Sequence, residues 1–491
     1  MRHCARLQPR SIRVSLMNHR VLSFLVVSIA LVAIPDVKAQ LTCSPAPCVT
    51  SNVQVSPATS NTTVAGMVLA ASPVSSSQDL AITANYLVDM SYCYGSVGDS
   101  SKSGVFLSTD LGSLWSGGCQ PPSGVDVGPQ YDPIAAYDEN GNLFSGQLGS
   151  SDTGETVFLQ ELSTGSTVWG NFFSTLDYTD RTTEDFFDFD FPGMAIDNNL
   201  ADPCIYVTAW ELGRSLKTKF TAVSAVVVGH SCDSGSSWTT QRVSSVTNTP
   251  NTASYPRVTV SQTHTVFATW VESGYGNTGN IYESSSTDSG NTWSLPISVL
   301  SLRMTPESTC ANDPQVSRVL PHTCVRMFYF PQLASTYFGA TGATQTDAVF
   351  PSYNGANVEI NYSASSNGTA WSTPITLSSV PADQFEPCIA TNPADTEMIG
   401  IAWLDTRNSP AGEPDTLYDA YGVTSADGGS TWSAVYRLSS TSGGTKVETE
   451  PKSQYLGDWT GCAWQNNIFY YAFPSTTDGT NQVATIVGLN E

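Results

Sequence analysis

The 491-residue sequence is poor in basic residues: 20 Lys and Arg stand against 43 Asp and Glu, a formal net charge of −23. A surface that acidic repels polyphosphate and anionic lipid, so we expect no nucleic-acid partner. Histidine is scarce as well, with five residues, two of them before residue 20, and their spacing matches no metal-ligand pattern. There is no Cys-x-x-Cys pair, no Gly-x-Ser-x-Gly elbow, no P-loop and no dinucleotide fingerprint. These absences argue against thiol-metal, α/β-hydrolase and nucleotide chemistry.

Long apolar runs are also missing. The longest candidate, Val21 to Pro35, follows the basic stretch Met17-Asn-His-Arg and precedes Val37-Lys38-Ala39. It is too short for a comfortable membrane span and has the form of a secretory signal cut after Ala39. Residues 1–39 are therefore read as a leader, with no membrane insertion after cleavage and an extracellular or periplasmic destination. Its removal takes away six basic residues and one acid, leaving 14 basic against 42 acidic residues, a net of −28. Ten cysteines remain, and an even number in an exported chain suggests disulfides.

What the chain does have is a repeat. STDLGSLWS (Ser108 to Ser116), SCDSGSSWT (Ser231 to Thr239), STDSGNTWS (Ser286 to Ser294), SSNGTAWS (Ser365 to Ser372) and SADGGSTWS (Ser425 to Ser433) share one pattern, and ELSTGSTVWG (Glu161 to Gly170) is a fainter copy. Their tryptophans, Trp115, Trp169, Trp238, Trp293, Trp371 and Trp432, fall 54, 69, 55, 78 and 61 residues apart. Each copy lies between two short alternating or apolar runs, which reads as strand, tight turn, strand. Gly supplies positive φ, Asp accepts backbone N–H groups that the turn leaves open, and Trp folds back as an apolar plug between sheets. The Asp of this motif is thus structural.

Between these turns lies a second repeat, an apolar strand opening near a Pro and followed by a turn and another strand. It occurs at DPIAAYDENGNLFSG, FPGMAIDNNLADPCIYVTAW, YPRVTVSQTHTVFATW, DPQVSRVLPHTCVRMFYF, EPCIATNPADTEMIGIAW and WTGCAWQNNIFYYAF, with a version lacking Pro at Val64 to Tyr86. Joined in turn, the two kinds of hairpin make four-stranded antiparallel blades, the arrangement of an all-β propeller. Seven blades are favoured over six. Gln482 to Asn490 would be the third strand of the last blade, and Val53 to Val55, within an N-terminal segment 40–60, its fourth. Residues 61–491 then form the propeller, and closure from both chain ends leaves no sheet edge exposed. A meander of this kind also brings Cys204 to Cys232, sets Cys388 beside Cys462 on neighbouring inner strands, and lets Cys43 and Cys48 close a small loop. Cys93, Cys119, Cys310 and Cys324 are left without assigned partners.

Ser-x-Asp-x-Gly-x-Thr-Trp resembles the Asp-box, or bacterial neuraminidase repeat, of sialidase-like propellers, and the resemblance covers nearly all of the chain after residue 39. AWLDTR, then a box, then YLGDWTG looks most like the secreted Asp-box proteins. The resemblance implies an extracellular glycan or glycoconjugate as partner, for a monomeric protein that either hydrolyses a glycoside or binds without catalysis. Sialidases of the family hold the substrate carboxylate with three arginines, attack with a Tyr activated by a Glu, and use an Asp as acid/base. The first arginine lies in a Phe/Tyr-Arg-Ile-Pro motif. This chain departs from that pattern: the motif is absent, and Tyr255-Pro-Arg-Val inverts its order.

In a meander blade the inner strands start at the ring face opposite the repeated turns. Alignment on the shared Pro puts Asp132, Phe191, Tyr255, Asp313, Glu386 and Thr460 at one inner position, with Asp458 just before the last strand. Second strands end on the same rim, at Glu211, at Glu272 and at Asp405 to Arg407. Acids at this rim outnumber arginines seven to two, which disfavours an anionic sugar. Two readings of the rim remain: paired-carboxylate hydrolysis of a neutral glycoside, or binding of Ca²⁺ by its oxygens. Asp313, Glu386 and Asp458 are the catalytic candidates. Asp132, Tyr255, Arg257, Glu272, Asp405, Arg407 and Trp459 are the substrate-binding ones, with Trp459 or Tyr255 as stacking platform. No cofactor is required and no metal ligands are assigned, although such oxygens also suit Ca²⁺. The acidic stretch Tyr178 to Gly193 is expected to be a loop over the channel mouth.

Overall fold

Seven antiparallel sheets close into a ring in the computed structural model, as the repeat count predicts. It describes residues 32–33, 43–57, 63–87, 100–101, 103–120, 129–151, 154–177, 184–198, 200, 203–215, 222–248, 251–274, 276–307, 318–410, 415–445, 456–476 and 482–490. Inner strands of the blades are Thr63–Ala71, Pro129–Tyr137, Glu184–Asp197, Thr252–Val260, Gln332–Phe338, Gln384–Thr391 and Gly461–Gln465. Each blade meanders outward from its inner strand through sequence-adjacent partners. The last blade is completed from the other end of the chain: Cys48–Val49 and Val53–Gln54 both pair with Val483–Asn490. Ring closure thus uses the two segments expected for it. Val32–Ala33, inside the stretch read as leader, adds two residues to the outer edge of the first blade.

Apolar clusters lie between blades, so each sheet buries both faces. One sets Tyr86 and Phe106 of the first blade with Tyr470 and Ile486 of the seventh; another joins Trp270 and Val258 of the fourth to Tyr206 and Val228 of the third. Two-sided burial explains why third strands such as Ala222–Ser231 read as nearly continuous apolar runs.

The repeated turns share one bond set. Ser286 donates its hydroxyl to Asp288 Oδ1 at 2.8 Å and accepts the Gly290 N–H at 2.9 Å. Thr292 gives Asp288 its N–H at 2.8 Å and its hydroxyl at 2.6 Å. The Trp293 ring folds back to donate Nε1–H to the Gly290 carbonyl at 3.2 Å. Gly290 has φ +85, and a Cβ there would lie 3.0 Å from the His230 ring of the neighbouring blade. The Ser hydroxyl and the backbone N–H four residues after the Asp bond to its Oδ1 in the same way at Asp110, Asp233 and Asp427.

The three assigned disulfides, Cys43–Cys48, Cys204–Cys232 and Cys388–Cys462, are present. Cys119 and Cys324 are disulfide-bonded as well. Among the described residues, no helix is long and apolar enough to cross a membrane.

Two expectations are corrected. The hairpin DPQVSRVLPHTCVRMFYF is not the inner hairpin of the fifth blade. That role falls to Gln332–Phe338 and Ala343–Tyr353, paired from Gln332↔Val349 to Phe338↔Ala343. Phe330-Pro331 therefore occupies the position given to Asp313-Pro314, and residues 318–330 form a connection with only isolated bridges, Glu307↔Arg318 and Val319↔Arg326. Asp313 lies outside the described residues. The second correction concerns the acidic stretch, which from Glu184 onward is a strand running to Asp197 rather than a loop. The interleaved phenylalanines of EDFFDFDF supply strand alternation that its charge conceals.

Candidate functional site

The Pro repeat marks a backbone device. In five inner strands the ladder slips by an extra residue, between Ala65 and Val68, Asp190 and Gly193, Ser254 and Arg257, Phe385 and Cys388, and opposite Gly146/Leu148. The first residue of each bulge has positive φ: Gly66 at 58°, Asp132 at 53°, Phe191 at 52°, Tyr255 at 60° and Glu386 at 49°. In four of them Pro follows, which costs no ladder bond because the bulge leaves that N–H unpaired. Left-handed backbone at a non-glycine residue is strained and persists only where surroundings over-determine it. Here it sets four side chains, Asp132, Phe191, Tyr255 and Glu386, at the channel mouth.

Two of those side chains begin an aromatic plug. Phe191 lies 5.7 Å from Trp210, 5.8 Å from Tyr255, and 5.2 Å from both Phe328 and Phe330. Phe330 in turn meets Tyr255 at 5.0 Å and Trp459 at 5.5 Å. Arg257 is enclosed by this cluster, its guanidinium 4.0 Å over Phe330 and 5.2 Å from Trp459. It donates Nε–H to Gln332 Oε1 at 3.1 Å and Nη1–H to the Pro256 carbonyl at 2.8 Å. Burial lowers its pKa to about 9, with Asp132 and Asp458 opposing the shift. Below the plug, all seven inner strands line a channel cavity of about 170 Å³, which Arg257, Gln332 and the Cys388–Cys462 disulfide border.

Acids complete the mouth. Asp458 accepts Arg326 Nε–H at 3.1 Å and Nη2–H at 2.5 Å. Asp132 accepts the Asn85 amide at 2.8 Å and returns its backbone N–H to Asn85 Oδ1 at 2.8 Å. Its pKa rises to about 7, through burial first and then the charge of Asp458. Asp190 is also raised well above the usual range, by burial and then by Asp132. Glu386 is 7% exposed, and neither carboxyl oxygen has a hydrogen-bond partner among the described residues. Burial, followed by Asp458, pushes it up to about 8, so it is mostly uncharged at pH 7.

Of the residues expected at the site, Asp132, Tyr255, Arg257, Glu386, Asp458 and Trp459 come together around this mouth. Trp459 is 3% exposed, with the edge of Phe330 and Arg257 against it, so it supports the plug rather than offering an open face. Glu272 accepts Trp270 Nε1–H at 3.1 Å and bears on Tyr282, one strand further out. Asp405 and Arg407 pair with each other at 2.5 Å, and the Arg407 guanidinium covers Tyr421 at 3.9 Å. These three belong to a layer around the second and third strands, because a second-strand end sits one strand spacing further from the axis.

Asp190, Arg326, Phe328 and Phe330 were missed as site residues. Phe330-Pro331 repeats the Phe191-Pro192 signal, so Phe330 was legible in the sequence. Arg326 lies in DPQVSRVLPHTCVRMFYF, which reads as a blade hairpin in sequence and is a connection with isolated bridges in the structure.

No protein-family model and no curated protein sequence matches this chain. Solved structures do match. The NanB sialidase from Streptococcus pneumoniae is 8% identical over 88% of this chain and 93% of its own, at a TM-score of 0.44. Trypanosoma rangeli sialidase is 10% identical over 74% of this chain at a TM-score of 0.42, and only 54% of its own length is spanned. A mutant of the α-L-arabinofuranosidase from Fusarium graminearum is 11% identical over 72% of this chain and 91% of its own, at a TM-score of 0.41. Two sialidases and an arabinofuranosidase are thus among the solved structures that this chain is similar to.

Proposed function

We propose that this is an exported, monomeric propeller that hydrolyses a neutral glycoside at the channel mouth opposite the repeated turns. One observation carries the reading: a buried carboxyl, Glu386, stands in one site with a second acid, Asp458, that is ion-paired to an arginine. Glu386 is held uncharged by burial, while Asp458 is matched with the Arg326 guanidinium. Such a split assigns an acid and a base. Glu386 would give its proton to the leaving glycosidic oxygen, and Asp458 would act as the carboxylate that activates water or attacks the anomeric carbon. Tyr255, partly exposed at the plug, would supply the apolar face for a sugar ring. A neutral sugar suits this mouth better than an acidic one, because Arg257 and Arg326 are already engaged by internal partners among several acids. The three disulfides suit an oxidising extracellular or periplasmic setting.

A second reading, binding without catalysis, is favoured by the depth of the acids: Asp132, Glu386 and Asp458 are each 6–7% exposed. A panel of fluorogenic glycosides tests both. Turnover of a neutral glycoside that disappears in Glu386→Gln, with the melting temperature retained, is expected. Turnover of an α-sialoside instead would overturn the neutral-sugar assignment. No turnover of any substrate, together with retention on a glycan array, would favour the binding reading.

A further inference from the structure

The connection 318–330 belongs to no blade, yet its later residues Arg326, Phe328 and Phe330 build the mouth. Something has to hold it against the ring. At its turn, His322 places Nδ1 3.0 Å from Asp383 Oδ2. Asp383 immediately precedes the inner strand of the sixth blade, and its side chain is fully buried. Asp415 stands just before the third strand of that blade and gives its backbone N–H to the His322 carbonyl at 3.0 Å. One ligand atom from each of His322, Asp383 and Asp415 lies within 4.8 Å of the other two.

Two further observations point to a cation. The first is charge: among the described residues neither Asp383 nor Asp415 pairs with Lys or Arg, and the buried Asp383 faces only one half-exposed imidazole. A buried anion needs stronger compensation than that. The second is orientation. Asp383 Oδ1 accepts the Val358 N–H at 3.0 Å, its Oδ2 accepts the His322 backbone N–H at 3.3 Å and faces the imidazole, and Thr406 donates its hydroxyl to Asp415 Oδ2 at 2.6 Å. Neutral donors that fix carboxylates from behind are the outer shell expected of a metal site.

We propose that His322, Asp383 and Asp415 bind one divalent cation of the zinc class and so pin the 318–330 connection to the sixth blade. An imidazole with two carboxylates suits Zn²⁺, whereas Ca²⁺ prefers six to eight oxygens. Two ligands on tetrahedral zinc, with bonds of about 2.0–2.1 Å, lie roughly 3.3 Å apart, close to the present His322–Asp383 separation. The exposed side of His322 leaves room for water to complete the shell.

The test uses the full chain without a histidine tag, stripped with a chelator and titrated calorimetrically with ZnCl₂ and CaCl₂, alongside thermal melts. One Zn²⁺ per chain and a raised melting temperature are expected. His322→Gln and Asp415→Asn, both at accessible positions, should each weaken zinc binding by at least about tenfold. No zinc uptake, or uptake unchanged in both variants, would leave His322 and Asp383 as a hydrogen-bonded pair only and overturn the proposal. Ca²⁺ stabilisation lost in Asp415→Asn but kept in His322→Gln would overturn it too, by removing the imidazole from the site.

Discussion

Arg326 and Asp458, 132 positions apart in sequence, meet in a forked ion pair in which both Nε and Nη2 reach one carboxylate oxygen. The pair joins the connection before the fifth blade to the entrance of the seventh, across the channel mouth. Its acid is almost fully buried and its base about one-third exposed. Removing the base would take a charge-assisted contact from a buried acid.

Arg326→Met should therefore lower stability by about 2 kcal/mol, the scale of a lost hydrogen bond to a charged group. Urea denaturation checks this, and Arg326→Lys should recover part of the loss. A midpoint for Arg326→Met equal to that of the wild type would mean that water replaces the guanidinium at no cost.

Glu386 makes stability fall as pH rises. Its folded pKa, about 8, lies above its ordinary value of 4.5, so the folded chain keeps a proton that the unfolded chain gives up. The stabilisation is complete below pH 4.5 and is lost progressively as pH rises to about 8, at up to about 1.4 kcal/mol per pH unit. Glu386→Gln should flatten this part of the profile. Urea midpoints at pH 5 and pH 7.5 that differ as much in the variant as in the wild type would refute the assignment.

The repeated turns should be structural only. Asp288→Ala is expected to lower the melting temperature without altering ligand binding or turnover. Asp288→Asn should be milder, because Asn367 fills the equivalent place in the fifth blade and accepts the Ala370 N–H at 2.8 Å. The Asp288 carboxyl is held below its ordinary range, chiefly by the Thr292 hydroxyl, so its contribution is present above that range and is lost as pH falls. Selective loss of turnover at an unchanged melting temperature would contradict this role.

The disulfides should rank by the chain they enclose. Cys388–Cys462 spans 74 residues and Cys43–Cys48 only 5. Chain entropy assigns them about 4 and about 2 kcal/mol. Paired Cys→Ala variants compared by denaturation should keep this order, and the reverse order would mean that local packing outweighs loop closure.

Much of the ring was legible because its determinants are local. Turn residues recur at fixed offsets from Trp, as in Ser286, Asp288, Gly290 and Trp293, and a Pro after a positive-φ residue marks a bulge wherever it occurs. Once these set the blade register, Cys204 had to approach Cys232, Cys388 had to approach Cys462, and Val53 had to close the last sheet. The register failed where two prolines competed. Pro314 and Pro331 both open apolar runs, and the inner strand of the fifth blade follows Pro331.

By itself the sequence determined the propeller, its seven blades, three of its disulfides and the face on which a site could form, since each follows from periodicity of short segments. Tertiary structure alone decided which charges meet there. Arg326 and His322 lie on a connection outside the repeat, and Asp190 is hidden in an alternating strand that looked like an acidic loop. Their partners, Asp458, Asp383 and Asp132, come from other blades. Pairing at such distances depends on how the ring closes and how deeply each carboxyl is buried, which no local pattern records.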